Sequence, residues 1–147
     1  PQVVLADREG SPVALAPRDG RVQVLDFWAT WCGPCKKSLP ALQRLHDAYA
    51  EHPKVSILGV NVDGGADDKA LTDRFMRARS FDFPVVFDGY KAASTAYDVR
   101  TIPTLVIIDG RGRVVLSQVG LYSSDPQRIF AHLREGVEAA LTTGDSG

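Results

Sequence analysis

The stretch VQVLDFWATWCGPCK, residues 22–36, decides the fold class of this chain. Its first seven residues form a nearly continuous apolar run, which is typical of a central strand covered on both faces. Apolar side chains then recur at helical spacing and predict a helix that packs on the sheet: Leu39, Leu42, Leu45 and Tyr49. A second apolar strand over 54–62 indicates a parallel βαβ unit.

The segment 66–87 predicts a further helix followed by a short strand. Asp67 and Asp68 stand where an N-cap and a first-turn acid belong. Pro84 cannot donate a hydrogen bond within a sheet, so it indicates either an edge strand or the start of a strand within 81–87. Three phenylalanines alternate there and are more typical of a core than of a ligand cage: Phe81, Phe83 and Phe87.

The remaining segments complete one α/β domain over 1–147, with a mixed central sheet flanked by helices. They are predicted, in chain order, as a hairpin, a short helix, a second hairpin and a terminal helix: 1–20, 91–97, 105–119 and 125–141. Asp125 followed by Pro126 marks the start of the terminal helix. The polar residues 142–147 are expected to fray.

Composition and charge narrow the function classes. The chain has 147 residues, 44% hydrophobic and 24% charged, which is ordinary for a globular domain. A formal net charge of -1 gives no field that would hold a polyanion, so we expect no nucleic-acid partner. No apolar run reaches the roughly 20 residues that a membrane span needs, so we expect no membrane contact by this domain. We also expect a monomer.

The position of the single methionine bears on what precedes the chain. Met76 is the only methionine, and the sequence begins at Pro1 without an initiator. We therefore expect that an N-terminal segment, such as a signal peptide or a membrane anchor, has been removed or left out.

The two cysteines lie just after the buried strand and at the start of the amphipathic helix. A helix N-terminus offers free N–H groups and positive dipole, which stabilise a thiolate, so Cys32 is the expected nucleophile. Cys35 lies one turn further into the helix and is expected to resolve a mixed disulfide by attacking the sulfur of Cys32. Pro34 suits the first helical turn, where its missing N–H costs nothing.

Other uses of a Cys-x-x-Cys pair fit this sequence less well. A structural zinc site needs a second ligand pair, and His46, His52 and His132 are scattered singly. A cysteine hydrolase is disfavoured, because a second cysteine at this spacing would trap the nucleophile as a disulfide. We therefore expect no metal and no cofactor beyond the redox-active disulfide.

Three separated segments give the chain a family resemblance. Residues 24–36 resemble the active-site segment of the thioredoxin superfamily, 101–105 (TIPTL) resemble its cis-proline loop, and Pro40 matches its helix kink. The resemblance covers nearly the whole chain. The hairpin at 1–20 and the insertion at 66–87 look like the TlpA/ResA/DsbE branch of extracytoplasmic thiol-disulfide oxidoreductases.

The resemblance implies a function and a surface. It implies a thiol-disulfide oxidoreductase that acts on protein disulfides, receives electrons from an upstream thiol donor and works outside the cytoplasm, with a cytoplasmic location as the alternative. Reduction is the favoured direction, because Gly33-Pro34 matches the thioredoxin dipeptide. Cytochrome c maturation, copper-site cysteine reduction and general protein reduction are all compatible roles. The implied substrate surface consists of Trp31, Gly33, Pro34, Ile102, Pro103, Thr104 and Gly120.

Asp26 is the third candidate catalytic residue. An acid inside an apolar strand should be desolvated, which raises its pKa and allows it to deprotonate Cys35. The alternative is that Asp26 points to solvent at the strand end. The TlpA-like branch often has a glutamate shortly after the second cysteine, and in this chain that position is Ser38.

Two other function classes stay open at this point. The fold could be a non-enzymatic module that docks a partner and only senses redox state through its cysteines. A thiol peroxidase is a third possibility, although the residues that flank the cysteines resemble the oxidoreductase pattern instead.

Overall fold

A computed structural model of the chain describes residues 2–145, with side chains through 143. Seven strands form one sheet: β1 Val3–Asp7, β2 Pro12–Leu15, β3 Val22–Trp28, β4 Val55–Asn61, β5 Val85–Phe87, β6 Thr104–Ile108 and β7 Val114–Val119. Four helices accompany them: α1 Gly33–Tyr49, α2 Asp68–Arg79, α3 Ala92–Ala96 and α4 Pro126–Asp145. The predicted α/β class with a mixed sheet is confirmed.

The central strand β3 organises the sheet, whose order is β2-β1-β5-β4-β3-β6-β7. It runs parallel to β4 and antiparallel to β6, and each of its seven residues is buried. Helices α1 and α4 pack against each other, and α4 also contacts β3. The apolar run over Val22–Trp28 is therefore buried as predicted, and the chain leaves β3 directly beneath the start of α1.

The predicted hairpin and the predicted insertion are neighbours in the sheet. Strand β1 pairs antiparallel with β5, and β5 pairs parallel with β4 on its other side. Pro84 immediately precedes β5, and its carbonyl accepts a hydrogen bond of 2.8 Å from the Gly59 N–H. Of the two readings of Pro84, the strand start is right and the edge strand is wrong, because β5 has a partner on each side.

A buried glutamine joins the N-terminal hairpin to the central strand. Gln23 lies in β3, and its Oε1 accepts a hydrogen bond of 2.7 Å from the Ala16 N–H. Its Nε2 donates to the carbonyl of Ala14 at 3.3 Å. On the other side of the hairpin, Arg8 and Asp73 of α2 form an ion pair of 2.8 Å. The hairpin is thus fastened to both the core strand and the insertion.

Helix boundaries agree with the sequence in most places. Asp125 accepts a hydrogen bond of 3.0 Å from the Gln127 N–H, as expected for the start of α4. Asp67 occupies the N-cap position of α2, but its side chain makes no capping hydrogen bond. Helix α4 continues to Asp145, so the predicted frayed segment begins too early, and 146–147 lie outside the described residues. None of the helices described here is long and apolar enough to cross a membrane.

An aromatic cluster fills the space between β3, α2 and β5. The rings of Trp28 and Phe75 are 5.0 Å apart, and those of Trp28 and Phe83 are 6.2 Å apart. Phe83 is fully buried, while Phe81 and Phe87 pack on the core from its margin. The three alternating phenylalanines are therefore core residues. Gly59 on β4 lies so close to this cluster that a side chain at this position would have no room.

Replacing Gly59 by alanine tests this packing. A Cβ at Gly59 would lie 2.7 Å from Phe83 Cε1 and 2.8 Å from Trp28 Nε1, and both rings are fully buried. We expect Gly59→Ala to lower the free energy of unfolding by about 1–3 kcal/mol in urea titrations. Gly89→Ala is the matched control, because the nearest atom there is 4.0 Å away and the residue is exposed. Equal stability of the two variants would contradict the packing argument.

Candidate active site

The two cysteines form a disulfide across the first turn of α1. Cys32 is the N-cap residue, and Cys35 lies inside the helix with a Cα–Cα separation of 5.3 Å. The Cys35 N–H donates a hydrogen bond of 3.2 Å to Sγ of Cys32. Cys35 is fully buried, and Cys32 keeps 4% of its surface exposed. Cys32 is therefore the sulfur that a large substrate can reach.

The electrostatics of the helix start favour a negative charge on Cys32. The free N–H groups of the first turn carry the positive end of the helix dipole, and one of them already contacts this sulfur. The first turn contains no acidic residue that would oppose a thiolate. Pro34 occupies this turn at no cost in hydrogen bonds. This arrangement supports Cys32 as the nucleophile when the pair is reduced.

Asp63 anchors the loop that leads to the cysteines. One of its carboxylate oxygens accepts a hydrogen bond of 2.7 Å from the Thr30 hydroxyl, and the other accepts one of 3.0 Å from the Thr30 N–H. Asn61 donates to the same carboxylate at 2.7 Å. Asp63 was not among the residues predicted for the site. The sequence did hold a signal that could have located Asp63. Strands β3 and β4 are parallel, so the residues that follow them meet at the same edge of the sheet.

Trp31 and Ile102 form the apolar rim beside the disulfide. Trp31 is 66% exposed, and the Ile102–Pro103 peptide bond is cis. A groove of about 460 Å³ begins at this rim and continues past the apolar side chains of Val62 and Val99. The backbone N–H and C=O of Ile102 take part in no hydrogen bond among the described residues. An extended peptide could pair with them.

The other predicted surface residues divide into two groups. Gly33 and Pro34 are exposed beside Trp31, as a substrate surface requires. Thr104 is buried, and its hydroxyl donates to the Thr101 carbonyl at 2.7 Å. The Gly120 N–H donates to the Pro103 carbonyl at 2.8 Å. Thr104 and Gly120 therefore brace the proline loop from inside.

Asp26 is buried in the middle of β3, with 2% of its surface exposed. Burial raises the pKa of its carboxyl from 3.8 to about 7. Its Oδ1 atom has no hydrogen-bond partner among the described residues. The alternative that Asp26 points to solvent is wrong. A carboxyl with this pKa can exchange a proton near neutral pH.

A small cavity joins Asp26 to the helix that carries the cysteines. It has a volume of about 30 Å³, and Asp26, Ser38 and Pro103 all line it. The Ser38 hydroxyl donates a hydrogen bond of 3.1 Å to the Cys35 carbonyl. Ser38 therefore connects the turn of Cys35 with the cavity that holds the carboxyl of Asp26.

One cluster elsewhere has donor atoms of the type that metals prefer. His46, Asp47 and Asp82 bring ligand atoms within 4.8 Å of one another on the outer side of α1. Gln43 donates hydrogen bonds to both carboxylates, at 2.9 Å and 2.6 Å. Both acids are exposed, so this cluster is a surface hydrogen-bond network on the helix face.

The raised pKa of Asp26 has a consequence for stability. The unfolded chain loses this proton near the usual value of 3.8 and the folded protein only near 7, so folding weakens as pH rises between them. We expect Asp26→Asn to stabilise the oxidised protein by up to about 4 kcal/mol at and above neutral pH. The gain should vanish below about pH 4, in urea titrations across this range. A gain independent of pH would contradict the raised pKa.

The chain is similar to a known protein family and to proteins named for thiol-disulfide chemistry. Residues 1–117 match the AhpC/TSA family. The thiol-disulfide oxidoreductase ResA of Bacillus subtilis is 36% identical over 115 residues, which cover 78% of this chain and 62% of ResA. The sporulation thiol-disulfide oxidoreductase A of the same organism is 32% identical over 112 residues, 76% of this chain and 67% of that protein. The chain thus spans about two thirds of the length of these relatives.

A solved structure is similar to this chain in its fold. The crystal structure of StoA from Bacillus subtilis superposes with a TM-score of 0.75 at 26% identity, covering 92% of this chain and 96% of that one. The StoA structure shares the predicted fold, and the names of the two sequence relatives describe thiol-disulfide chemistry. On the match over residues 1–117, the chain belongs to the AhpC/TSA family, and its relatives include thiol-disulfide oxidoreductases.

Proposed function

We propose that this protein is a thiol-disulfide oxidoreductase that reduces disulfides in other proteins. The observation that carries the proposal is the contact between the Cys35 N–H and Sγ of Cys32, at the start of α1. It combines an accessible sulfur, a thiolate-stabilising helix end and a second sulfur placed to resolve an intermediate. The relatives named for the same activity support it.

The reaction begins when the pair is reduced. The thiolate of Cys32 attacks a substrate disulfide, forms a bond to one substrate sulfur and releases the other as a thiolate. Cys35 then loses its proton to the carboxylate of Asp26, and its sulfur attacks Sγ of Cys32. The Cys32–Cys35 disulfide forms, and the second substrate sulfur leaves as a thiolate. Two electrons pass to the substrate, and the two substrate thiolates take protons from water.

The substrate is proposed to lie along the groove that starts at Trp31 and Ile102. An extended peptide can hydrogen-bond to the free backbone groups of Ile102 and place apolar side chains on Trp31. Lys91 and Arg100 also line the groove, so its sides carry positive charge. Gly33 and Pro34 leave the approach to Cys32 open because neither has a long side chain.

The direction of the reaction rests on the residues around the sulfurs. Gly33-Pro34 between the cysteines and a buried Asp26 both favour reduction by the resemblance to thioredoxins. A reductase must be returned to its dithiol form, so an upstream thiol donor is part of the proposal. Resemblance to the TlpA-like branch also supports an extracytoplasmic location, and we propose that the domain acts as a monomer.

The role of Cys32 can be tested by replacement with serine. We expect Cys32→Ser to reduce turnover of a protein disulfide with dithiothreitol by at least about a thousandfold, because the attacking sulfur is gone. Cys35→Ser is the matched control, and it should instead accumulate a mixed disulfide with the substrate. Loss of turnover with substrate binding retained would support the enzyme. Unchanged turnover would contradict the role assigned to Cys32.

The reduction potential tests the direction. Equilibration of the Cys32–Cys35 pair against a glutathione or dithiothreitol series can be followed by the fluorescence of Trp28 and Trp31. We expect a potential at or below about -220 mV, which suits a reductase with its own electron donor. A potential above about -150 mV would make the protein an oxidant and reverse the proposed direction.

A further inference from the structure

His132 shares the buried cavity of Asp26. It lies on α4 and lines the cavity together with Ile129 and Leu133 of the same helix, while Asp26 lines it from β3. His132 Nε2 is buried and has no hydrogen-bond partner among the described residues, and the same holds for Asp26 Oδ1. Two residues with unpartnered polar atoms, from different elements, therefore line one small space.

The size and lining of this cavity suit water. Its volume of about 30 Å³ exceeds the roughly 10–15 Å³ that one water molecule needs. A buried water also needs two to four polar partners. Asp26 and His132 supply two, and the side chains of Ser38 and Gln118 line the same cavity. A water there would satisfy both unpartnered atoms at once.

His132 also borders the protein surface. It is half-buried, and a second cavity of about 330 Å³ on its other side is lined by residues of β7 and α4 that include Leu116 and Glu135. The ring of Tyr122 stacks on the imidazole at 3.7 Å between centroids, with an angle of 5° between planes. His132 thus stands between the buried cavity and a surface groove, in an orientation that Tyr122 holds.

We propose that His132 passes the proton of Asp26 to and from solvent through water in the shared cavity. The inference rests on the proposed disulfide exchange, in which Asp26 takes the Cys35 proton in every cycle. Asp26 must then lose that proton before the next cycle, and its own side chain has almost no contact with bulk water. His132 is a positioning residue in this scheme, because it acts through Asp26.

The proton balance is closed without a further reactant. The Cys35 S–H proton moves to the carboxylate of Asp26 as the bond between Cys32 and the substrate sulfur breaks and the Cys32–Cys35 bond forms. In the same step a proton moves on from the Asp26 carboxyl through water to Nε2 of His132, so the rate at which the Cys32–Cys35 bond forms depends on both residues. The imidazolium releases a proton to solvent on the groove side. Besides His132, the titratable groups that line the two cavities are Asp26 from β3, Tyr122 after β7, and Glu135 from α4.

The test separates the two sulfur steps with an aromatic disulfide that releases coloured thionitrobenzoate. The reduced protein releases one equivalent when Cys32 attacks and a second when Cys35 resolves the mixed disulfide. His132→Phe keeps an aromatic ring against Tyr122 and removes the proton acceptor. We expect it to slow the second release about tenfold near neutral pH and to leave the first unchanged. His52→Phe, at an exposed histidine outside both cavities, is the matched control and should leave both releases unchanged.

Two further measurements distinguish a relay from a structural effect. Added imidazole should restore the second release in His132→Ala, whose side chain leaves room for it. In an Asp26→Asn background, His132→Phe should cause no additional loss, because the proton acceptor upstream is already gone. His132→Gln provides a second variant if His132→Phe fails to fold.

The outcomes distinguish failure of the relay from failure of the proposed disulfide exchange. An unchanged second release in folded His132→Phe or His132→Gln would overturn the relay. If His132→Phe slowed the second release by the same factor in the Asp26→Asn background, the relay would also be overturned, because the effect would then be independent of Asp26. Absence of both releases in the unmodified protein would instead contradict the proposed disulfide exchange.

Discussion

The burial of β3 on both faces is the constraint on which the rest of the molecule depends. Strand β3 lies between β4 and β6 in the sheet, and each of its seven residues is buried. Strand β3 ends at the carboxyl edge of the sheet, and the loop that follows it reaches the surface there. The cysteines follow there, at the first turn of α1. The same strand also carries Asp26 into the interior.

One strand thus creates two opposite electrostatic environments. Above its end, the helix start and its N–H groups favour negative charge on the sulfur of Cys32. Within the strand, the absence of solvent disfavours negative charge on Asp26. A thiolate is stabilised and a carboxylate is destabilised a short way along the same chain. This difference gives the proposed chemistry a nucleophile and a proton acceptor with distinct roles.

Much of this arrangement was accessible from the sequence, because it depends on local patterns. The apolar run of β3, the helical stripe of α1 and the hairpin of β6 and β7 each encode their own structure. The two cysteines and Asp26 could be assigned from their positions relative to those elements. The burial of Asp26 needed the structure, since an acid near a strand end can turn either way.

The residues that the sequence left unassigned act through contacts between distant segments. Asp63 gains its role from hydrogen bonds to Thr30, and His132 borders the Asp26 cavity from a helix more than a hundred residues away. No periodicity in one segment encodes such a meeting. Pro84 could be assigned in part. Its missing N–H was compatible with an edge strand or with the start of a strand, and only the pairing of β5 on both sides decided between the two.

The pairing of β1 with β5 makes two additions to the central α/β unit interdependent. Strand β5 has only three residues, which is too few for a stable edge strand. Strand β1 pairs with its outer side. Leu5 and Leu15 of the hairpin meanwhile extend the core beneath it. Removal of the hairpin would leave β5 as an edge strand, and removal of the insertion would leave β1 without β5 as its partner. The two segments therefore form one structural unit that is encoded in two separate places along the chain.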